Sequence, residues 1–319
     1  MYSNRHITVI IPALNEATSI SRVIDGLFGL FVCSQCTQNE SGNAPGAVVE
    51  YRADLSDADT GSKDKVSRAD PAEPAVRCGI CSGRLSRVVD QIVVCDNGST
   101  DDTASIAFAS GAIVVKEPSR GYGSACLAAL AAPVEKDIIV FVDADHSVVA
   151  TELPTLLQPL LNDAELVIGS RTLGHCEKGA LSLPQAFGNR LASALMRLLW
   201  GGEVTDLGPF RAITNRALVE MQMSDKKFGW TVEMQIRAYQ LSLMTAEVPV
   251  STRRRIGKSK ISGTVRGVLG AAHGILGTIG KLYWRQLTGA YPLAKRREEN
   301  QLSSPLPVQP LGDNSREPQ

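Results

Sequence analysis

The chain has 319 residues, of which 44% are hydrophobic and 21% are charged, an ordinary composition for a globular protein. Its 33 basic and 33 acidic residues give a formal net charge of zero, so total charge excludes no class of partner. The length is sufficient for one sizeable α/β domain with appendages. No charged and then apolar leader precedes Ile7, so we expect the catalytic part to stay on the cytoplasmic side.

The first predicted unit is a strand followed by a helix. An unbroken β-branched run from residue 7 predicts a buried parallel strand that ends at Pro12 and Ala13, followed by a polar turn with Asn15 and Glu16. The apolar positions Ile20, Val23, Ile24 and Leu27 then follow helical spacing. Together they form a βα unit with polar side chains at the carboxyl end of the strand.

Residues 33–87 interrupt this alternation. The stretch from residue 39 to 74 is rich in Ser, Gly, Asp, Ala and Pro and has no sustained apolar period, which predicts a largely disordered insert. Two CxxC pairs bracket it, and four such thiolates are the ligand set of a structural Zn²⁺ site: Cys33, Cys36, Cys78 and Cys81. The alternatives are reduced cysteines or a redox pair.

A second βα unit and a glycine-containing turn follow the insert. The strand at residues 91–95 ends in Asp96, and Ser99 or Thr100 is predicted to cap the next helix. The turn Arg120-Gly121-Tyr122-Gly123 precedes a helix of small residues at 124–132. A Gly-x-Gly pattern alone also fits a plain turn.

The third unit carries two carboxylates at its end. The apolar strand at residues 138–142 runs into Asp143, Ala144 and Asp145. Side chains at i and i+2 share one face of an extended chain, so both carboxylates can address one cation beyond the strand. Hard oxygen ligands favour Mg²⁺ or Mn²⁺, with diphosphate oxygens in the remaining positions. The alternative is a strand that ends in an ordinary turn.

The last part of the chain predicts a membrane-facing helix and a tail. Residues 263–291 are apolar and glycine-rich, but only 14 residues separate Arg266 from Lys281, fewer than the ~20 that span a bilayer. An interfacial helix anchored by Tyr283 and Trp284 fits better, and the apolar helix at 190–200 could share its surface. The alternative for each is a helix packed on the core. Residues 292–319 are predicted to be a disordered tail.

The order of these motifs resembles that of family 2 glycosyltransferases, and the segments 168–171, 206–212 and 254–260 resemble those of dolichyl- and polyprenyl-phosphate sugar synthases. The resemblance covers roughly residues 6–30 and 88–285. It implies a Rossmann-like A-type fold, α/β with a mostly parallel central sheet and helices on both faces. The catalytic domain would comprise residues 1–32 and 88–262.

The resemblance also implies roles for individual residues. The nucleotide-sugar site would involve ten positions: Pro12, Ala13, Asn15, Glu16, Asp96, Arg120, Gly121, Gly123, Asp143 and Ala144. Asp143 and Asp145 would bind the metal, and Asp145 is the first choice for a direct ligand. The third ligand stays open, because His146 either joins the metal or caps the turn.

A polyprenyl phosphate acceptor carries an ionised oxygen and needs positive charge more than a general base. The acceptor candidates are Arg171, Arg190 and Arg254, while Arg211 and Lys260 are candidate catalytic cations, Lys260 on a loop that closes over both substrates. A hydroxyl acceptor would instead require a carboxylate base, for which Glu233 is the best-placed candidate.

We therefore expect an inverting hexosyltransferase that moves a hexose from a UDP- or GDP-sugar to a polyprenyl phosphate, peripheral on the inner membrane face and without a nucleic-acid partner. The alternatives are transfer to a hydroxyl acceptor and a scaffold with an inactive transferase core. Sugar, base and oligomeric state stay open.

Overall fold

The computed structural model describes residues 2–33, 48–50, 85–257 and 265–289. The strands are β1 (Ile7–Ala13), β2 (Leu30–Cys33), β3 (Val48–Glu50), β4 (Leu85–Arg87), β5 (Gln91–Asp96), β6 (Ile113–Lys116), β7 (Ile138–Phe141), β8 (Leu166–Ser170), β9 (Arg211–Thr214) and β10 (Thr245–Pro249). The helices are α1 (Ile20–Phe28), α2 (Thr103–Ala109), α3 (Tyr122–Leu130), α4 (Leu153–Leu157), α5 (Leu183–Trp200), α6 (Asn215–Met221), α7 (Trp230–Gln240) and α8 (Val265–Leu287).

Seven strands form the main sheet, in the order β10-β8-β9-β7-β1-β5-β6. β1 pairs in parallel with β5 and β7, whereas β9 lies antiparallel between β7 and β8. The predicted fold class, α/β with a mostly parallel sheet, is confirmed. The strand order reverses at β1, so the carboxyl ends of β1, β5 and β7 meet at a topological switch point, where open α/β sheets bind ligands.

Apolar side chains cover both faces of this sheet. One cluster joins Ile7 and Val9 of β1 to α1, α2 and α4. The other joins Ile10 of the same strand to α3, α6 and α7, because successive side chains of a strand point to opposite faces. Each fully buried Ile or Leu stabilises the fold by about 1.5–3 kcal/mol, so the sheet with its helices on both faces is the main core.

The first βα unit matches its prediction. The apolar positions of α1 are all buried, and Ile20 and Ile24 have no exposed surface. The second unit differs in one detail, because α2 begins at Thr103 after Asp102, so neither Ser99 nor Thr100 caps it.

The base of the insert is a small antiparallel sheet in the order β3-β2-β4. Cys33 pairs with Leu85 across it, close to the predicted limits of the insert at residues 33 and 87. Val48–Glu50 pairs with β2, so part of the predicted disordered stretch is a strand. Cys36, Cys78, Cys81 and Lys260 lie outside the described residues, as does the predicted tail at 292–319.

The helices α5, α7 and α8 form a third apolar cluster beside the sheet. Met196 of α5, Ile236 of α7 and Leu282 of α8 meet in it, and Trp200 Nε1 donates to Gln286 Oε1 at 2.6 Å. The region predicted to be interfacial therefore packs on the catalytic domain through one of its faces. Within the residues described, no helix combines the length and the apolar character needed to cross a bilayer.

Candidate functional site

The site lies at the switch point, where the loops after β1 and β5 are tied together. Asn15 adopts a left-handed backbone conformation (φ 52°) and donates its N–H to Ser99 Oγ at 2.9 Å. Its Oδ1 accepts from the backbone N–H of Thr100 at 2.7 Å. Ser99 and Thr100, predicted as helix caps, thus connect the two loops, and Asn15 has a structural role in them.

The two carboxylates predicted to bind metal lie beside these loops. Asp143 Oδ1 accepts from the hydroxyl of Tyr122 at 3.2 Å, and Asp145 Oδ1 accepts from the backbone N–H of Ser147 at 3.0 Å. Burial, and then the negative charge of Asp145, raise the pKa of Asp143 to about 7. The pair is therefore held in place, and its negative charge is not fully balanced by the protein.

Arg255 is the residue that links this pair to the loop after β1, and the sequence analysis did not assign it a role. Its Nη1 lies 3.3 Å from Asp145 Oδ2, and its Nη2 lies 3.1 Å from Glu16 Oε1. Its Nε is buried without a hydrogen-bond partner. Glu16, one of the residues predicted for the nucleotide-sugar site, thus orients an arginine, and the unpartnered Nε of Arg255 is a donor for a substrate anion.

The chemistry of Asp143 and Asp145 fits a hard divalent cation. In many Mg²⁺ sites the protein supplies only one or two carboxylates, and substrate phosphates complete the coordination. Asp143 and Asp145 fit this pattern, because a hydroxyl and a backbone N–H hold them in place. Neither here nor elsewhere in the described part of the chain do three or more His, Cys, Asp or Glu side chains lie close enough together to hold a metal ion, so Asp143 and Asp145 would need other ligands to complete a site.

A cleft of about 270 Å³ opens next to Asp143 and Asp145, lined also by Arg171 and Arg255 and by the start of α5. Arg171 binds Asp206 through Nε at 2.8 Å and Nη2 at 2.7 Å. Burial alone would lower the pKa of Arg171, but Asp206 outweighs it and raises the pKa. This two-point contact leaves Nη1 as a donor toward the cleft, and the role of Arg171 in binding an acceptor phosphate stays a prediction.

Arg211, a candidate catalytic cation in the sequence analysis, lies in the core of the domain. Its side chain is fully buried, and it donates to the carbonyl oxygens of Gly208 and Thr231. Burial lowers the pKa of Arg211 to about 10. Because every one of these contacts is to the backbone inside the core, Arg211 ties the segment before β9 to α7 and is not placed to contact a substrate.

The carboxylate of Glu233, the predicted general base, is also engaged by hydrogen-bond donors of the protein. It accepts hydrogen bonds from Ser224 Oγ at 2.7 Å, from the Asp225 backbone N–H at 2.6 Å and from Arg237 Nε at 3.0 Å. Burial raises the pKa of the Glu233 carboxyl, but the hydrogen bonds from Ser224 and Asp225 and the charge of Arg237 outweigh it, so the pKa lies below its usual value. A buried, ionised and hydrogen-bonded carboxylate is poorly suited to the role of general base predicted for it.

The glycines of the turn before α3 serve packing. A Cβ on Gly121 would lie 2.1 Å from the carbonyl oxygen of Lys226, and one on Gly123 would lie 2.0 Å from that of Asp225. The Gly123 N–H donates to Lys227 O at 3.2 Å. The start of α3 is therefore engaged by residues 225–227, which is a different role from the predicted contact with a nucleotide.

The remaining predicted residues have more open or peripheral positions. Arg120, Arg190 and Arg254 are exposed, and Pro12 is half-buried at the end of β1. Asp96 is buried and accepts from the Ser99 N–H at 3.0 Å. Ala13 and Ala144 are buried in the core beneath the site. His146 has φ 62°, and burial, then Arg253 and Arg22, lower its pKa.

Comparisons with known proteins agree with this geometry. Residues 84–221 match the family described as glycosyl transferase family 2. An uncharacterized glycosyltransferase of Mycobacterium tuberculosis is 36% identical over 197 residues, which are 61% of this chain and 85% of the relative. The dolichyl-phosphate hexose transferase of Haloferax volcanii is 34% identical over 173 residues, 53% of this chain and 73% of the relative.

A solved structure shows the same fold. The glucosyl-3-phosphoglycerate synthase of Mycobacterium tuberculosis, crystallised with Mn²⁺, UDP-glucose and phosphoglyceric acid, has a TM-score of 0.56 at 23% identity, with 87% of this chain and 81% of that chain covered. The sheet has the A-type glycosyltransferase fold, and the family match and the relatives place the chain in the enzyme class of the glycosyltransferases. The chain belongs to glycosyltransferase family 2.

Proposed function

We propose that this enzyme is an inverting, metal-dependent hexosyltransferase that transfers a hexose from a UDP- or GDP-sugar to a polyprenyl phosphate at the cytoplasmic face of a membrane. The observation that carries the proposal is the composition of the cleft beside Asp145. Its lining includes Arg171 and Arg255, and among the described residues its only carboxylates are Asp143 and Asp145.

This composition favours an acceptor that is already ionised. A hydroxyl acceptor needs a base to take its proton, whereas a phosphate oxygen needs only positive charge and orientation. Arg171 has Nη1 available, and Glu233 is held by Ser224 and Arg237. The names of relatives point the same way, since one is a dolichyl-phosphate hexose transferase.

The donor is proposed to bind over the ends of β1, β5 and β7. Asp143 and Asp145 would hold Mg²⁺ or Mn²⁺, which when bound neutralises the charge that grows on the departing diphosphate. Arg255 is positioned by Glu16 and carries an unpartnered Nε beside Asp145. We infer that Arg255 binds the leaving diphosphate, because a guanidinium matches the geometry of phosphate oxygens.

In the proposed reaction, Arg171 orients the acceptor phosphate in the cleft so that one of its oxygens attacks the anomeric carbon from the side opposite the leaving group, which inverts the configuration. The bond from that carbon to the nucleoside diphosphate breaks with its electron pair on the diphosphate, and no proton has to move. Lys260 and three of the four predicted Zn²⁺ ligands, Cys36, Cys78 and Cys81, fall outside the described residues, whereas Cys33 is buried in β2. Lys260 remains a predicted loop cation, and no comparison supports the zinc site.

Access for a lipid is provided by the first turns of α5. Ser182 and Gln185 line the cleft, while Leu183 and Phe187 in the same turns are 87% and 70% exposed. Exposed apolar side chains therefore lie in the same turns of α5 as residues that line the cleft with Arg171. We propose that this surface, together with the exposed Trp284 of α8, rests on the membrane.

The test is transfer of labelled sugar from a panel of UDP- and GDP-sugars to short-chain polyprenyl phosphate with Mn²⁺ or Mg²⁺. Asp145→Asn is expected to lower the rate by at least a hundredfold. Arg171→Lys keeps a charge for Asp206 but loses the two-point geometry, and is expected to raise the KM for the lipid more than that for the donor.

Arg216→Gln, on the exposed side of α6, is the control and should leave transfer unchanged. Donor binding or hydrolysis without a lipid product, in the presence of a folded enzyme, would contradict the phosphate acceptor and favour a hydroxyl acceptor.

A further inference from the structure

A second and larger cavity lies beside α1 and is separate from the acceptor cleft. Its volume is about 570 Å³, within the ~300–1,000 Å³ range of small-molecule sites. It is bordered by α1, by the loop that follows Asp143 and by the segment after β10. Neither Arg171 nor Arg255 lines it, and it adjoins the reaction site at Asp143 and Val148, which line both spaces.

Three basic side chains from distant parts of the sequence converge on this cavity: Arg22 of α1, His146 of the metal loop and Arg253 after β10. Arg22 and Arg253 are both exposed, and among the described residues neither has a side-chain hydrogen bond or ion pair. Solvent screens the repulsion between exposed like charges, so both side chains can lie at the cavity without a bound ion. Two unpaired guanidinium groups from separate segments can nevertheless both donate charge-assisted hydrogen bonds to one phosphate.

The rest of the lining combines apolar side chains with two carboxylates. Val23, Leu27, Val142 and Val148 line the cavity, and Asp25 is its one carboxylate apart from Asp143. A bare phosphate would leave such a surface uncovered. A ligand that joins a phosphate to an apolar group would satisfy both the guanidinium groups and the apolar wall.

The cavity is connected to the reaction site by the backbone. Arg253 N–H donates to Ser147 O at 2.9 Å, and the chain then reaches Arg255, which contacts Asp145. A ligand that holds Arg253 would therefore also hold the segment that carries Arg255 over the metal-binding carboxylates.

We propose that this cavity is a second binding site, for a phosphate monoester that carries an apolar group, and that its occupation stabilises the segment 253–255 over Asp145. The site takes a ligand in addition to donor and acceptor, and its existence does not depend on which sugar or acceptor the enzyme uses. The same chemistry is found in a lipid phosphate headgroup and in a soluble phosphate ester.

The experiment measures binding to the full chain by calorimetry, in buffer with a chelator so that no divalent ion bridges the probe to Asp143 and Asp145. Three probes are compared: hexyl phosphate, dihexanoyl phosphatidic acid and inorganic phosphate. We expect at least one of the two esters to bind at least tenfold more tightly than inorganic phosphate. Tighter binding of phosphatidic acid would identify a lipid source, and equal or tighter binding of hexyl phosphate a soluble ester.

The double variant Arg22→Gln/Arg253→Gln is expected to weaken ester binding at least tenfold. The matched control Arg5→Gln/Arg216→Gln removes the same charge elsewhere and should retain the affinity. Hydrogen exchange in the presence of the ester locates the site: protection is expected at residues 22–29 and 146–151.

Three results would overturn the proposal. They are inorganic phosphate binding as tightly as the esters, unchanged ester affinity in the folded double variant, and protection confined to residues 171–190 of the acceptor cleft. Each is distinguishable from failure of the proposed reaction, since none requires sugar transfer.

Discussion

Single hydrogen bonds and ion pairs determine how the carboxylates of the site are oriented. Tyr122 holds one oxygen of Asp143, Ser147 holds one of Asp145, and Arg255 connects Asp145 to Glu16. Partners of this kind fix the direction of a metal ligand and are worth roughly a factor of 10–100 in metal affinity. Tyr122, Ser147 and Arg255 were not predicted to be site residues from the sequence. They nevertheless orient Asp143 and Asp145, the two predicted metal ligands.

Tyr122→Phe removes the hydroxyl and keeps the ring. We expect Mn²⁺ affinity in the presence of UDP to fall roughly tenfold, because Asp143 loses the donor that orients it. Electron paramagnetic resonance of free Mn²⁺ measures this without turnover. Tyr283→Phe, remote on α8, is the control, and equal affinities for both variants would show that the Tyr122 hydroxyl has no positioning role.

Glu233→Gln tests whether this carboxylate is structural. Removal of one partner of a buried ion pair costs ~3–5 kcal/mol of unfolding free energy, so urea denaturation should show a large loss. The pKa of Glu233 is lowered in the folded state, so its contribution is complete above about pH 4.5, its usual pKa, and is lost as the pH falls through the folded-state value.

The variant should accordingly lose less stability than the parent between neutral pH and about pH 3. Unchanged stability together with loss of transfer would instead assign Glu233 to catalysis.

At the scale of the secondary-structure elements, close backbone approaches and amphipathic faces determine how the helices are placed. The start of α3 is pressed against residues 225–227, which admits only glycine at Gly121 and Gly123. By contrast, α5 buries Ala192, Ser193 and Met196 and leaves larger apolar side chains outside. The first arrangement makes α3 a rigid support for Tyr122, and the second leaves the exposed apolar surface that is proposed to contact lipid.

Gly123→Ala is expected to destabilise the protein by more than 2 kcal/mol, because its Cβ would overlap the Asp225 carbonyl oxygen. Gly188→Ala, in α5, meets nothing within 4 Å and should stabilise by about 0.5–1 kcal/mol through helix propensity. Thermal unfolding of the two variants provides the measurement. Equal effects would mean that residues 225–227 do not press on α3 in solution.

Leu183→Ser/Phe187→Ser tests the proposed membrane surface. Both side chains are exposed, so the free energy of unfolding should change little, whereas binding to vesicles that contain phosphatidylglycerol should weaken at least tenfold. Phe108→Ser/Val219→Ser removes two equally exposed apolar side chains elsewhere, 73% and 68% exposed, and should bind like the parent. Equal loss in both double variants would indicate nonspecific adsorption.

At the scale of the whole molecule, the sheet brings the residues of the site together. The helices α5, α7 and α8 connect this site to the proposed membrane surface. α8 contributes Ile279 and Leu282 to a cluster with α5 and α7, so it is part of the folded unit in addition to having exposed apolar residues. The buried face of α8 agrees with the alternative of a helix packed on the core, and contact of its exposed face with a membrane stays a proposal.

Leu282→Ala should lower the free energy of unfolding by ~2–5 kcal/mol, because it leaves a cavity between α8 and the domain. Leu287→Ala, on the same helix and 63% exposed, should change it by less than ~0.5 kcal/mol. Urea denaturation of both variants in solution measures the difference. If Leu282→Ala were as neutral as Leu287→Ala, α8 would not be packed on the domain.

The sequence by itself determined the fold class, the family, the βα units and the carboxylates at the ends of their strands. These features are local: a β-branched run, a helical period and an Asp-Ala-Asp sequence each act over a few residues. The contacts of α1 and the positions of Asp143 and Asp145 accordingly agree with prediction.

Only the tertiary structure decided what the charged side chains do. In a run of three arginines, Arg254 is exposed, whereas Arg255 bridges Glu16 to Asp145. Arg211 and Glu233 are buried, Arg211 against backbone carbonyls that include Thr231 O and Glu233 against Ser224. Sequence spacing reports neighbours along one element, whereas the partner of a long charged side chain depends on how separate elements pack. A buried charge takes whichever partner the folded chain brings within hydrogen-bonding distance, and that partner fixes its role.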